Sequence, residues 1–105
     1  MSEVRQITEL LARIADKRYH EFLRVPAMSA GMYVLPSGAT DGQTPHKEDE
    51  IYYVVRGKAK MRLGREDRSV SEGDVIFVEK AAEHRFFDIA EELVLLVIFA
   101  PAESL

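Results

Sequence analysis

The chain is predicted to be an all-β sandwich or barrel preceded by one amphipathic helix, and three observations carry that expectation. Apolar residues recur at helical spacing only in the first segment. From Tyr19 onward they fall instead into short runs rich in Val, Ile, Tyr and Phe. Gly-, Pro- and Asp-containing turns separate those runs, and no second helical stretch intervenes, which argues against a parallel sheet with crossover helices. The 105 residues suffice for one compact domain. Residues 1–18 are expected to form the helix, packed on the barrel or on a partner, and residues 19–105 the barrel.

In the helical segment Val4, Ile7, Leu10, Leu11 and Ile14 recur at intervals of three and four, with polar residues between them. Ser2 is the expected N-cap, and Lys17 with Arg18 suit the negative end of the helix dipole, giving about four turns. The first clear strand runs from Met28 to Leu35 and is closed by Pro36-Ser37-Gly38. Ala39 to Lys47 is the one long polar loop, the kind of segment that carries function. Glu50 to Arg56 is a second strand, followed by Gly57. Lys58 to Leu63 alternates strictly, turning Ala59, Met61 and Leu63 inward and three cations outward. After the Glu72-Gly73-Asp74 turn, Val75 to Val78, His84 to Phe87 and Leu93 to Phe99 complete the strands before Pro101.

Two of these strands depart from the inside-outside alternation. Ile51-Tyr52-Tyr53-Val54-Val55 and Leu93 to Phe99 are apolar on both faces, so each has a second face to cover. The N-terminal helix is one cover. One short helix cannot cover both strands, and a homodimer is therefore expected.

Composition excludes several functions. The formal charge is −4, with acids and bases interleaved as in Arg65-Glu66-Asp67-Arg68, so nucleic acid is not an expected partner. There is no cysteine, which removes disulfides, thiolate metal sites and Cys nucleophiles. Any metal must then be held by imidazole, carboxylate or amide oxygen. The N-terminal residues lack a secretory apolar core, and the run Leu93 to Ala100 is too short to span a bilayer. A cytoplasmic protein with no membrane partner is the expectation.

Only three histidines are present. His20 stands apart from any acid or second histidine and is read as having no special role. His46 and Glu50 share parity, so an extended segment turns them to the same side. Glu50 opens an otherwise apolar strand, where an inward carboxylate is costly unless paired or metal-bound. Tyr52 and Phe86 share the parity of Glu50 and His84 and are expected inside. Tyr52, Met32 and Met61 are read as core filling, and Arg62 and Arg85 as solvated surface.

Around these residues the chain resembles the cupin superfamily, in particular its small bacterial single-domain, RmlC-like members. The first cupin signature runs from a glycine through a His-X-His pair and a Glu to a closing glycine. Gly38, His46, Glu50 and Gly57 stand in its register, with Thr44 where the first His belongs. In the second signature Gly73 and His84 match, while Glu79, Ala81 and Asp88 replace its Pro, Gly and Asn. The stretch between them, Lys58 to Glu72, is short, as in the small members.

The resemblance implies a double-stranded β-helix, or jelly-roll barrel, with one divalent metal ion on His46, Glu50 and His84. Iron, manganese, nickel and zinc are not distinguished. A typical cupin supplies three His and one Glu, and this chain keeps two His and the Glu, an arrangement that leaves coordination positions open. Gln43 is one residue out of register, and its amide oxygen is a candidate fourth ligand if the chain bulges beside Pro45; otherwise it ties down the loop. Thr44 offers a hydroxyl for a metal-bound water.

The implied function is a metal-dependent enzyme, a dioxygenase, isomerase or related activity, on a small oxygen-rich molecule. Glu50 is then a ligand rather than a base, and no catalytic acid or base is assigned. The alternative is a non-catalytic binding or sensing module in which the ion anchors a ligand or braces the barrel.

Overall fold

The computed structural model describes residues 2–104, so Met1 and Leu105, the outer ends of the two expected units, lie outside the described residues. Its elements are α1 (Ile7–Ile14), β1 (Tyr19–Val25), β2 (Met28–Leu35), β3 (Asp49–Leu63), β4 (Glu66–Ser71), β5 (Val75–Val78) and β6 (His84–Ala100). All strand pairs are antiparallel, in the order β1-β2-β6-β3-β4, with β5 added to the first half of β3. The two long strands β3 and β6 lie together over their whole length and carry the sheet around into a jelly-roll barrel.

Their bend is set at Gly57. Its φ is +107°, and a Cβ there would collide with the Glu92 carbonyl oxygen and lie 2.8 Å from Leu93 Cα. The β3–β6 register shifts around the same place, between Val54 and Lys60. Glycine lets the two backbones touch where the strands bulge and turn. The strand endings expected at Arg56 and at Phe87 are therefore bends inside continuous strands.

The barrel interior is filled by Leu35, Tyr52, Val54, Met61, Phe86, Leu95 and Val97, all buried. Leu63, expected inward with Ala59 and Met61, is only partly buried at the end of its strand. A second cluster lies outside the sheet, where Leu10 and Ile14 of α1 cover Met32 and Val94.

The helix is shorter than expected. It spans 8 residues, its N-cap position is Gln6 rather than Ser2, and no side chain caps it. Val4, one turn earlier in the apolar stripe, is 94% exposed, so a longer helix would have nothing to pack against there.

Beyond the helix the outer sheet face is open. Ile51 and Tyr53 of β3 pair with Phe77 and Val75 of β5, and all four side chains are exposed.

Candidate metal centre

The loop between β2 and β3 is tied to the barrel by Asp41, a buried carboxylate that accepts three hydrogen bonds. The donors are the Tyr33 hydroxyl (2.7 Å), the Gln43 Nε2 (2.8 Å) and the Phe86 backbone N–H (2.9 Å). Because Asp41 takes the amide N–H of Gln43, the carbonyl Oε1 must face the other way. There it accepts from the Tyr52 hydroxyl at 2.8 Å and lies 3.3 Å from His46 Nε2.

His46 sits in this loop, just before β3, and its carbonyl accepts from the Ala81 N–H at 2.7 Å. That bond joins the loop to the turn preceding His84. Ala81 holds φ 65° and Asp88 φ 47°, left-handed conformations that glycine and asparagine adopt more easily. Those are the residue types that the second cupin signature carries at these places.

His46, Glu50 and His84 offer ligand atoms that all lie within 4.8 Å of one another. Glu50 Oε1 is 3.3 Å from His84 Nε2 and 3.9 Å from His46 Nε2. Donor atoms sharing one ion at bond lengths of about 2.0–2.2 Å sit roughly 3–4 Å apart, so both Glu50–imidazole distances fit.

Tautomers sharpen the fit. His84 Nδ1 donates to the Ala82 carbonyl at 3.0 Å, so in the neutral ring Nε2 carries a lone pair, and that nitrogen faces the carboxylate. Glu50 is 2% exposed, and among the described residues neither of its oxygens has a hydrogen-bond donor; His84 Nε2 is likewise unpartnered. Converging acceptors repel one another unless a cation, or a proton taken up by the imidazole, lies between them. Burial alone would push the His84 imidazole down, but the Glu50 carboxylate and the Ala82 carbonyl outweigh it and raise its pKa. The donor set, two imidazoles and a carboxylate with an amide oxygen beside them, suits a divalent ion.

A cavity of about 240 Å³ opens onto this cluster, lined by His46, Glu50 and Gln43 together with Tyr19, Tyr33, Val97, Phe99 and Glu103. His84 is not part of that lining, and its side chain is fully buried. The Tyr19 ring rests on Gly31, where a Cβ would come within 2.7 Å of its Cε1, and its hydroxyl is buried without a partner among the described residues. Burial first, then the Glu50 charge, pushes the Tyr52 phenol well above its ordinary range and keeps it a donor.

Of the residues singled out from the sequence, His46, Glu50, His84 and Gln43 meet here. Thr44 does not: it is exposed and lines no part of this cavity, because Gln43 occupies the inward place beside it. His20 stays on β1, away from the cluster. Tyr52, read as filling, also holds the Gln43 amide. Asp41, Tyr19, Tyr33 and Glu103 were not singled out at all. Asp41 lies in the loop marked as functional, but Tyr19 and Tyr33 come together only through the pairing of β1 with β2.

A family model described as a cupin domain matches residues 31–99 of this chain. An uncharacterised protein of Streptomyces coelicolor is 45% identical over 89 residues, covering 85% of each chain. Among solved structures, a Thermus thermophilus protein superposes with a TM-score of 0.76 at 24% identity, covering 96% of this chain and 99% of its own. KdgF from Halomonas superposes with a TM-score of 0.72 at 24% identity, covering 79% of this chain and 76% of its own. At these identities the structural likenesses establish the shared fold.

Proposed function

Because the chain belongs to the cupin family, we propose that His46, Glu50 and His84, with the Gln43 amide oxygen as fourth donor, hold one divalent metal ion. On this reading the protein is a metal-dependent enzyme, a dioxygenase, isomerase or related activity, acting on a small oxygen-rich molecule. The observation that carries the reading is the buried Glu50 carboxylate facing His84 Nε2 at 3.3 Å, with no hydrogen-bond partner for either oxygen among the described residues.

When bound, such an ion supplies Lewis acidity to a ligand's oxygens. The chain's own residues do the rest. Val97 and Phe99 make one cavity wall apolar, and Phe99 packs edge-on against His46 with ring centroids 4.9 Å apart, which holds the imidazole and limits water. The free Tyr19 hydroxyl is placed to donate to a ligand oxygen. A 240 Å³ cavity holds roughly eight waters, so the ligand is small. Of the described residues, 19–104 form the working barrel and α1 covers part of its outer face, and the protein works in the cytoplasm without nucleic acid or membrane.

The test is oxygen uptake and product analysis with iron-loaded protein and simple diketones, catechols and sugar acids. Turnover that disappears in a His84→Ala variant supports the enzyme. Metal-dependent ligand binding without turnover favours the binding module instead. Failure to bind any divalent ion overturns both.

The same reading includes a homodimer built on the open outer face. Ile51 and Tyr53 (40% exposed each), Val75 (68%) and Phe77 (61%) form one contiguous apolar patch across β3 and β5, beside the rows that α1 covers. A second copy would bury the patch twice over, at roughly 1 kcal/mol per side chain for exposures of this size. Sedimentation of the wild type as a dimer and of Phe77→Glu as a monomer, at micromolar concentration, is expected. A monomeric wild type refutes the dimer.

A further inference from the structure

We infer that Glu103 is a positioning residue for His46: it fixes the imidazole tautomer that turns Nε2 toward Glu50. The inference rests on the metal reading above, but it concerns a residue outside the ligand set and outside every strand.

The segment after β6 is held to the barrel mouth along its length. The Ala102 N–H donates to the Pro26 carbonyl at 3.4 Å. The Glu103 N–H donates to Ser29 Oγ at 2.9 Å, and the Glu103 carbonyl accepts from the Arg24 guanidinium at 2.7 Å. Beyond it, the Ser104 N–H and hydroxyl both donate to one oxygen of Glu48, at 3.2 and 2.5 Å. Glu48 and Ser29 are themselves buried. Three side chains from three different places thus clamp the backbone on both sides of Glu103, more than a loose tail requires.

What the clamp positions is a carboxylate. Glu103 Oε2 lies 3.6 Å from His46 Nδ1, while His46 Nε2 points the opposite way, toward Gln43 Oε1 and Glu50 Oε1. At 3.6 Å the carboxylate is beyond direct hydrogen-bond reach, but its charge favours the ring proton on Nδ1 over the other tautomer, in which Nε2–H would donate to Gln43 Oε1 at 3.3 Å. Once an ion takes Nε2, Nδ1 must carry the proton and faces Glu103. His84 is oriented in the same sense by the Ala82 carbonyl. The two imidazoles therefore present the same nitrogen to Glu50, each with an acceptor behind it. That is the usual support for a metal-binding imidazole, and losing such a partner typically weakens metal affinity 10–100-fold.

Two measurements on the full chain test the inference. Zinc affinity is measured by competition with a chromophoric chelator for wild type, Glu103→Ala and Glu103→Gln. Side-chain ¹⁵N NMR of the metal-free proteins reports which His46 nitrogen carries the proton. Glu103→Ala is expected to weaken zinc binding 10–100-fold and to shift His46 away from the Nδ1–H form. Glu103→Gln, which keeps an accepting oxygen, is expected to fall between Ala and wild type in both readouts. An unmoved His46 tautomer in Glu103→Ala overturns the inference, whatever happens to affinity, and so does a zinc affinity within twofold of wild type. A wild type that binds no zinc overturns the metal reading, and the tautomer measurement then stands alone as the test of Glu103.

Discussion

Replacing Glu50 by Gln should invert its effect on stability according to whether metal is present. In the metal-free protein the Glu50 side chain is 2% exposed, with both oxygens lacking donors and one of them 3.3 Å from the His84 Nε2 lone pair. An unpaired buried polar group costs about 1–3 kcal/mol, and a charged one more. Gln removes the charge and brings an amide N–H that can meet the imidazole lone pair. At a pH above the raised His84 pKa, where the ring is neutral and the carboxylate has no donor, metal-free Glu50→Gln should therefore be more stable than wild type by about 1–3 kcal/mol. For a domain of this size each kcal/mol moves Tm by roughly 4–8 °C. With metal at 100 times its Kd, wild type gains about 2.7 kcal/mol by linkage, and the variant, deprived of its carboxylate ligand, gains little. The assay is a pair of thermal melts, one in excess chelator and one in matched zinc. A variant that melts below wild type in chelator, or that gains as much as wild type from zinc, would refute the reasoning.

Other substitutions probe separate parts of the account. His84→Ala should lose most bound metal while keeping its fold, as metal analysis beside far-UV circular dichroism would show; full retention of metal contradicts the ligand set. Gly57→Ala forces a Cβ onto the Glu92 carbonyl at φ +107° and should lower stability by more than about 2 kcal/mol in urea titration; an unchanged midpoint would mean the strands can part there freely. Ala81→Gly should raise stability by about 0.5–1 kcal/mol, since glycine relieves the left-handed strain at φ 65° and gives some of it back as unfolded-state entropy. A destabilised Ala81→Gly would show that the turn does not strain the alanine.

Much of the barrel could be read in advance because its strands obey simple rules. Met28–Leu35 and Val75–Val78 are bounded by turn residues, and the alternation from Lys58 onward turned Ala59 and Met61 inward as expected. β4 escaped notice because it is an edge strand in which only Val70 is buried, so it carries almost no apolar pattern. β1 was hidden by the register shift between Glu21 and Leu23, which breaks its period. The helix was read too long because spacing records which residues can share a face, not where the surface beneath that face ends. Val4 fits the stripe and lies beyond it.

The centre was legible in part for the same reason. Parity placed Glu50, Tyr52 and Phe86 inside, and family register supplied His46 and His84. Glu103 has no signal in its own neighbourhood: Pro101-Ala102-Glu103-Ser104 reads as a polar tail, and only the tertiary clamp of Arg24, Ser29 and Glu48 gives it a place. Asp41 and the Tyr19–Tyr33 pair are likewise products of strand pairing and loop closure rather than of local pattern.

The most direct measurement is anomalous diffraction from crystals grown with zinc or manganese, recorded at the absorption edge of that metal. The account predicts a single strong peak per chain, within about 2.0–2.3 Å of His46 Nε2, a Glu50 oxygen and His84 Nε2. A map with no peak among those three atoms, or with its only peaks on surface carboxylates, would contradict it.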